Sequence, residues 1–255
     1  MCIEHDDIDR ISPARRPNDR VVMSQNWRNL LFLHWRVPAP ALQSLVPSGL
    51  TIDTFQGEAY VGLVPFTMRD IHPTGLPTWP PLSNFHEVNV RTYVHRGGND
   101  PGVWFFSLDA ANLAGVSIAR ALFKLPYYFA RMRMETTDTA TTYVSERLGT
   151  QRARAHCALT YTPLGNPAPA IPGTLDHFLL ERYILYSNNQ SRLLRGQVHH
   201  LPYLVSSAAI SSLDETLIAA AGITVPMCAP IVHYSAGVDV SVFPLYDAAQ
   251  RNPRP

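Results

Sequence analysis

The chain has 255 residues, of which 46% are hydrophobic and 16% charged, with a formal net charge of +1. This composition provides apolar side chains for a large core and excludes general disorder. No basic run is longer than Arg15-Arg16, which argues against a nucleic-acid partner. The three cysteines are widely spaced without a CxxC pair, which excludes a disulfide framework or a zinc knuckle.

The N-terminus begins MCIEHDD and lacks the basic and apolar regions of a secretory signal. No run of 18 apolar residues occurs, so the sequence predicts no membrane span and a cytoplasmic location. Residues 1–24 are polar without a hydrophobic period and are predicted to be a flexible tail. Residues 248–255 are predicted to be a second, C-terminal tail.

Between these tails, hydrophobic alternation and turn residues predict strands with a few inserted helices. Strands are predicted over 27–35, 50–55, 58–68, 85–95, 102–109 and 193–206, with two or three more within 136–162 and a final one or two within 231–243. Residues 96–100 are predicted to be the turn that joins 85–95 and 102–109 in a hairpin. Helices are predicted over 40–45, 113–123, 175–186 and 214–221, and an ordered proline-rich loop over 72–84. The proline-rich residues 165–173 are the one plausible interdomain linker. This mixed order predicts an α+β, mainly β fold with a curved antiparallel sheet.

The predicted strand 85–95 carries the most informative polar residues. Alternation places Glu87, Asn89 and Arg91 on one face and a row of valines on the other. The valine face belongs to a core. The polar face is either a solvated surface with lateral ion pairs or the lining of a polar cavity, and a barrel would favour the cavity.

Familiar catalytic and metal-binding motifs are absent from the sequence. His199 and His200 are adjacent in a predicted strand, so they point to opposite faces and cannot bind one metal ion together. One of them, and His233 in the last strand, remain candidates for a pocket. No HExxH, GxSxG, P-loop or GxGxxG occurs, which disfavours common hydrolase, nucleotide and dinucleotide chemistry. We expect neither a metal nor a cofactor.

Several long segments resemble the YqjF-like family of uncharacterised bacterial proteins. They occur in the same order: 46–50 VPSGL, 60–66 YVGLVPF, 85–94 FHEVNVRTYV, 102–109 GVWFFSLD, 123–127 FKLPY, 172–183 PGTLDHFLLERY and 198–200 VHH. The resemblance covers nearly the whole chain after residue 25. It implies that residues 25–247 form a single domain.

That family is distantly similar to the acetoacetate decarboxylase superfamily, which implies a cone-shaped, mostly antiparallel β-barrel around a pocket. In the decarboxylases the segment resembling residues 119–128 reads Gly-Arg-Glu, a short spacer, then Pro-Lys-Lys. Arg120 fits this pattern, but the two lysines are replaced by Tyr127 and Tyr128. The resemblance also aligns Glu87 with a pocket glutamate. Lys124 is the only lysine in the chain and precedes this position, so a Schiff-base decarboxylase is not expected.

Two functional hypotheses remain open. In the first, the protein binds a small oxygenated acid or carbonyl compound without transforming it. In the second, it is a lyase- or hydratase-type enzyme with Glu87 and Tyr127 or Tyr128 as acid-base groups. In both, the ligand-binding candidates are Asn89, Arg91, Arg120, His200 and His233, with the arginines suited to a carboxylate. Assembly into a homo-oligomer is left open.

Overall fold

The computed structural model of the protein describes residues 8–112, 124–148, 154–189 and 192–249. Within these ranges the chain forms a 13-stranded sheet. The strands are β1 Met23–Val37, β2 Thr51–Ile52, β3 Ala59–Pro73, β4 Phe85–Arg96, β5 Asn99–Ala110, β6 Tyr127–Thr136, β7 Thr141–Arg147, β8 His156–Pro169, β9 Ile184–Asn189, β10 Arg192–His199, β11 Leu204–Glu215, β12 Ile231–Val242 and β13 Tyr246–Asp247. The short helices are α1 Ala39–Gln43, α2 Pro80–Ser83, α3 Leu175–Leu180 and α4 Leu217–Ala220. The predicted mainly β class is confirmed.

The sheet closes on itself through two extra strand pairings. Its order is β13-β10-β9-β5-β6-β7-β8-β11-β12-β1-β3-β4-β2, and β10 also pairs with β12 while β5 also pairs with β4. Neighbours are antiparallel except that β5 runs parallel to β6 and β9. The strands on both sides of the predicted linker are therefore interleaved in one sheet.

Strands β4 and β5 form the predicted hairpin. Its turn contains Gly97 and Gly98 with φ of +57° and +80°, a pair of left-handed conformations that favours glycine. Arg96 pairs with Asn99 across this turn. The hairpin fixes the register of β4, whose polar residues form the candidate site.

Strand β1 is buried on both faces and separates two apolar cores. Leu31, Leu33 and Trp35 pack into one cluster, whereas Leu30 and Phe32 pack into the other. A strand covered on both sides needs apolar residues at consecutive positions, which explains its continuous hydrophobic run. The second core also contains α3, so this helix covers the same sheet face as Phe32.

Several predicted boundaries were wrong. The helix predicted over 175–186 ends at Leu180, and β9 begins at Ile184. The strand predicted over 193–206 divides into β10 and β11, and β11 continues to Glu215 where a helix was predicted. The proline-rich linker begins as the last part of β8, and the 72–84 loop contains α2. The helix predicted over 113–123 lies outside the described residues.

The segment expected to be a flexible N-terminal tail contacts the sheet in its described part. Ile8 is buried, and Arg10 donates two hydrogen bonds to the buried carboxylate of Asp53, at 3.2 and 2.6 Å. The amide of Val22 donates to the carbonyl of Val242. Residues 8–22 therefore cover one side of the sheet. No helix in the described ranges is long and apolar enough to span a bilayer.

We expect residues 25–247 to unfold as one unit. A fragment that ends at Gly173 would lose β11, the antiparallel partner of β8, and β12, the partner of β1. Both remaining strands would expose apolar faces to water, so the fragment should aggregate or lack a cooperative thermal transition. Differential scanning calorimetry of the fragment and the full chain measures this. A soluble fragment with its own sharp transition would indicate two domains.

Candidate functional site

The polar face of β4 is buried. Glu87, Asn89 and Arg91 are 1%, 5% and 8% exposed, because β3 and β5 flank the strand and α3 packs over this face. Of the two alternatives for this face, a solvated surface is excluded by these values. Three polar side chains on a buried face need hydrogen-bond partners within the protein or from a ligand.

Glu87 and Tyr127 form a buried pair. The Tyr127 hydroxyl donates to Oε2 of Glu87 at 3.0 Å. The pKa of Glu87 is raised to about 8, mainly by burial and to a smaller extent by the nearby carboxylate of Asp109, while the Tyr127 hydrogen bond acts in the opposite direction. Burial and Glu87 together raise the pKa of Tyr127 well above its usual value. At neutral pH both groups are therefore largely protonated and uncharged.

Tyr128 lies apart from Glu87. It is opposite Asp109 in the parallel β5–β6 pairing, and Asp109 is opposite Val88 on the valine face of β4. The guanidinium of Arg147 stacks over the Tyr128 ring at 4.0 Å and donates to both carboxylate oxygens of Asp109, at 2.8 and 2.7 Å. Alternation along β6 thus places only Tyr127 next to Glu87.

Arg91 is a buried cation with no carboxylate partner among the residues that the structure describes. In the described part of the chain no acidic oxygen lies within 4 Å of its guanidinium. Its Nη2 donates to the main-chain oxygen of Leu179 at 3.2 Å, and its Cζ lies 5.5 Å from the Phe32 ring centre. Nε has no partner. A buried guanidinium with an unused donor is suited to an anion.

His34 is a site residue that the sequence analysis missed. It is fully buried on β1, and its Nε2 lies 2.7 Å from the Tyr93 hydroxyl. Gly62 on β3 is opposite both His34 and Arg91. A Cβ atom at Gly62 would lie 3.1 Å from Cδ2 of His34 and 3.5 Å from Cγ of Arg91, so the absence of a side chain at this glycine lets both residues pack closely over β3. Burial, with Arg91 adding to it, lowers the pKa of His34 well below its usual value.

His200 is also buried, whereas His199 is partly exposed. The His200 ring lies 4.5 Å from the rings of both Tyr183 and Tyr203, and its Nδ1 is 2.7 Å from the carbonyl oxygen of Leu201. Burial lowers the pKa of His200 to about 4. Of the two adjacent histidines, His200 is therefore the one that faces the interior.

His233 completes the group. It is opposite Phe32 in the β1–β12 pairing, and its ring centre is 6.4 Å from that of His34. Its Nε2 lies 3.0 Å from a carboxylate oxygen of Asp176. We call His34, Asn89, Arg91, His200 and His233 the Arg91 cluster. The described residues contain no group of three or more histidine, cysteine or acidic side chains arranged to hold a metal.

Two residues that the sequence singled out are not in this cluster. Arg120 lies outside the described residues. Lys124 is exposed, has a left-handed backbone with φ of +53°, and lines an open cleft of about 230 Å³ with Trp104, Phe105 and Tyr186. The Lys124 side chain is thus in a solvent-accessible setting, unlike Glu87 and Arg91.

The DUF2071 family, described as an uncharacterized conserved protein, matches residues 24–239. The chain belongs to this family. The DUF2071 chain is 39% identical over 229 residues to uncharacterized protein YqjF of Bacillus subtilis, covering 90% of this chain and 93% of that protein. The resemblance seen in the sequence is therefore confirmed.

Solved structures share the fold of this DUF2071 protein at low sequence identity. Acetoacetate decarboxylase from Legionella pneumophila superposes with a TM-score of 0.60 at 12% identity, covering 97% of this chain and 98% of that one. The enduracididine biosynthesis enzyme MppR complexed with pyruvate gives a TM-score of 0.60 at 11% identity, with 92% of both chains covered. The predicted acetoacetate decarboxylase-like fold is thus confirmed, and at these identities the likeness concerns the fold alone.

Glu87→Gln should stabilise the protein above neutral pH. The pKa of Glu87 is about 8 when folded, against a usual value of 4.5, so the folded chain binds this proton more tightly than the unfolded chain. The resulting stability is complete below pH 4.5 and is lost as the pH rises through 8. Glutamine keeps an acceptor for Tyr127 and cannot ionise, so its Tm at pH 9 should exceed that of wild type by at least about 4 °C.

The two Tm values should converge near pH 5. Glu146→Gln, at a side chain that is 58% exposed, is the control and should follow the wild-type profile. Parallel melting profiles for wild type and Glu87→Gln between pH 5 and 9 would mean that Glu87 ionises normally.

Proposed function

We propose that this DUF2071 protein binds a small organic acid at the Arg91 cluster. The observation that carries the proposal is the buried guanidinium of Arg91, which has an unused Nε donor and no carboxylate within 4 Å in the described ranges. A buried charge is costly unless it is paired, and a ligand carboxylate would supply the missing partner. His34 and His200 lie nearby and are neutral, so neither is a second cation that would compete with Arg91 for the ligand carboxylate.

The size and chemistry of the ligand follow from the same surroundings. Phe32 and Tyr203 pack against each other beside Arg91, so the ligand has limited room and an apolar wall. MppR, which has the same fold, binds pyruvate. This precedent and the single guanidinium support a short acid that carries one carboxylate and further oxygen atoms.

An enzymatic role is the second candidate, and the state of Glu87 favours it. A carboxylic acid with a pKa of about 8 is protonated at neutral pH and can donate its proton to a ligand oxygen. The Tyr127 hydroxyl, 3.0 Å from Oε2, holds the acid in place. Glu87 would then act as a general acid in the addition or removal of water, with Tyr127 as its positioning residue.

A Schiff-base mechanism is not part of the proposal. It needs a lysine whose pKa is lowered by burial or a neighbouring cation, for which acetoacetate decarboxylase is the established example. The positions that the family resemblance assigns to the lysine pair hold Tyr127 and Tyr128. Lys124, the only lysine, has an exposed side chain.

Arg91→Met and Glu87→Gln should each weaken ligand binding at least about tenfold, equivalent to roughly 1.4 kcal/mol. The first removes the cation that pairs with the carboxylate, and the second removes the acid proton. Calorimetric titration at pH 7 with two- to six-carbon oxo and hydroxy acids identifies the ligand and measures the change. Arg133→Met and Glu146→Gln, at exposed positions, serve as matched controls. Wild-type affinity in both site variants, with normal melting, would place the ligand elsewhere.

Lys124 should form no Schiff base. Wild-type protein incubated with acetoacetate or pyruvate and then reduced with borohydride should keep its unmodified intact mass. Lys124→Ala is the control for adducts at the N-terminal amine. An adduct that forms on wild type and disappears in Lys124→Ala would restore the decarboxylase mechanism.

A further inference from the structure

The hydrogen bonds around His34 fix which of its nitrogens carries the proton. The Tyr93 oxygen lies 2.7 Å from the carbonyl oxygen of Leu179, and a carbonyl has no proton to donate. The phenol proton therefore points to Leu179. Because that proton is used, the 2.7 Å contact between Tyr93 and Nε2 of His34 requires His34 to donate. Nδ1 of His34, neutral in its buried setting, is left as a lone pair without a partner.

His200 is fixed in the opposite tautomer, and it also has one buried ring nitrogen that can only accept a hydrogen bond. Its Nδ1 lies 2.7 Å from the carbonyl oxygen of Leu201, so Nδ1 donates and carries the proton. Nε2 is then a lone pair, and it is buried without a partner. A pKa of about 4 keeps the ring neutral at physiological pH.

His233 follows the same pattern through a carboxylate. Its Nε2 donates to Asp176 at 3.0 Å, since an ionised carboxylate only accepts. Nδ1 of His233 is buried without a partner and is a lone pair whenever the ring is neutral. Each of the three histidines thus donates to a fixed acceptor, and the neutral rings of His34 and His200 each leave a buried acceptor nitrogen.

These nitrogens belong to rings that surround Arg91. The His34 and His233 rings are 6.4 Å apart, and the side chains of His34 and Arg91 both pack over Gly62. His200 contacts Tyr203, which packs on Phe32, and the Phe32 ring lies beside the Arg91 guanidinium. The surroundings of the cation therefore offer hydrogen-bond acceptors.

We propose that the ligand is a hydroxy acid, whose carboxylate binds Arg91 and whose hydroxyls donate to the free nitrogens of His34, His200 and His233. This inference rests on the proposed function and names the ligand class for the same site. A hydroxyl group supplies the donor that each acceptor nitrogen lacks. The carbonyl oxygen of an oxo acid has no proton and would face a lone pair, so the site selects against it.

An amino acid would also supply donors, but its ammonium is a second cation beside Arg91. No carboxylate in the described ranges lies within 4 Å of Arg91 to balance the pair, and Glu87 is largely protonated at neutral pH. Repulsion between two cations in a buried setting is strong. The neutral hydroxyl is therefore favoured over the ammonium.

The test compares acids of one carbon skeleton by calorimetric titration at pH 7. Glycerate and lactate should bind at least about tenfold more tightly than pyruvate or alanine, and glycerate, with two hydroxyls, more tightly than lactate. The set 2-hydroxyglutarate, 2-oxoglutarate and glutamate repeats the comparison on a longer chain. Preferential binding of the oxo or amino members would overturn this inference and leave the proposed function standing. Failure of every acid to bind would remove both.

A substitution at His200 distinguishes selection between hydroxy and oxo acids from the affinity of the site for acids in general. His200→Phe keeps an aromatic ring against Tyr183 and Tyr203 but removes the acceptor nitrogen. It should reduce the hydroxy-to-oxo affinity ratio at least about threefold, whereas Arg91→Met should weaken both acids alike. His199→Phe, at the neighbouring and partly exposed position, should keep the wild-type ratio. An unchanged ratio in His200→Phe would contradict the assignment.

Nitrogen-15 NMR of the histidine rings tests the inference without a ligand or a variant. His34 and His233 should carry their proton on Nε2, and His200 on Nδ1. The reverse tautomer at His34 or His200 would place a donor where the inference needs an acceptor and would overturn it.

Discussion

The buried charge of Arg91 is the constraint on which the rest of the site depends. Removing a guanidinium from water is unfavourable unless other groups replace its hydration. Two other arginines of this fold are neutralised by buried carboxylates. Arg182 lies 2.8 Å from Asp53, and Arg147 lies 2.7 Å from Asp109. Among the described residues Arg91 instead has neutral partners: the main-chain oxygen of Leu179, the Tyr93 side chain and the face of the Phe32 ring. The charge of Arg91 is therefore not balanced by a carboxylate within the described ranges.

The position of helix α3 follows from this arrangement. The last carbonyls of a helix have no partner within it. Here the carbonyl of Phe178 accepts from the side chain of Arg182, and that of Leu179 accepts from Arg91 and Tyr93. These side-chain donors replace the amides of a further turn, which explains why the helix ends at Leu180 although its hydrophobic spacing predicts a longer one. The end of the helix is thus a part of the site.

The sequence predicted the polar strand but only part of its surroundings. Period-two alternation identified Glu87, Asn89 and Arg91 as neighbours on one face, and the hairpin turn at Gly97 followed from residue type. Whether that face pointed inward depended on the pairing of β4 with β3 and β5, and a local sequence pattern gives no information about which strands pair. The β1–β3 and β3–β4 pairings also connect distant segments, because their registers bring His34 next to Arg91 across Gly62.

His34 could have been noticed as the one ionisable residue within the apolar run 30–35 of β1. Such a residue, covered on both faces, must be neutral and hydrogen-bonded. Its partner Tyr93 and the tautomer it imposes depend on tertiary contacts, which explains why the sequence did not reveal them. Conversely, Tyr127 and Tyr128 were treated together because they replace a lysine pair. Strand alternation separates them, and a strand beginning at Tyr127 was not predicted.

Incomplete pairing of two long strands bears on how this protein can meet other proteins. The terminal strands of the described sheet, β2 and β13, have only two residues each. In contrast, β6 pairs with β5 only at 127–129, and β11 pairs with β12 only at 205–207, so in the described ranges 130–136 and 208–215 are each paired on one side alone. Long unpaired edges are the places where a second chain adds a strand, either in functional complexes or in aggregates. Within the described sheet, these two stretches therefore offer more main-chain groups to an incoming strand than its terminal strands do.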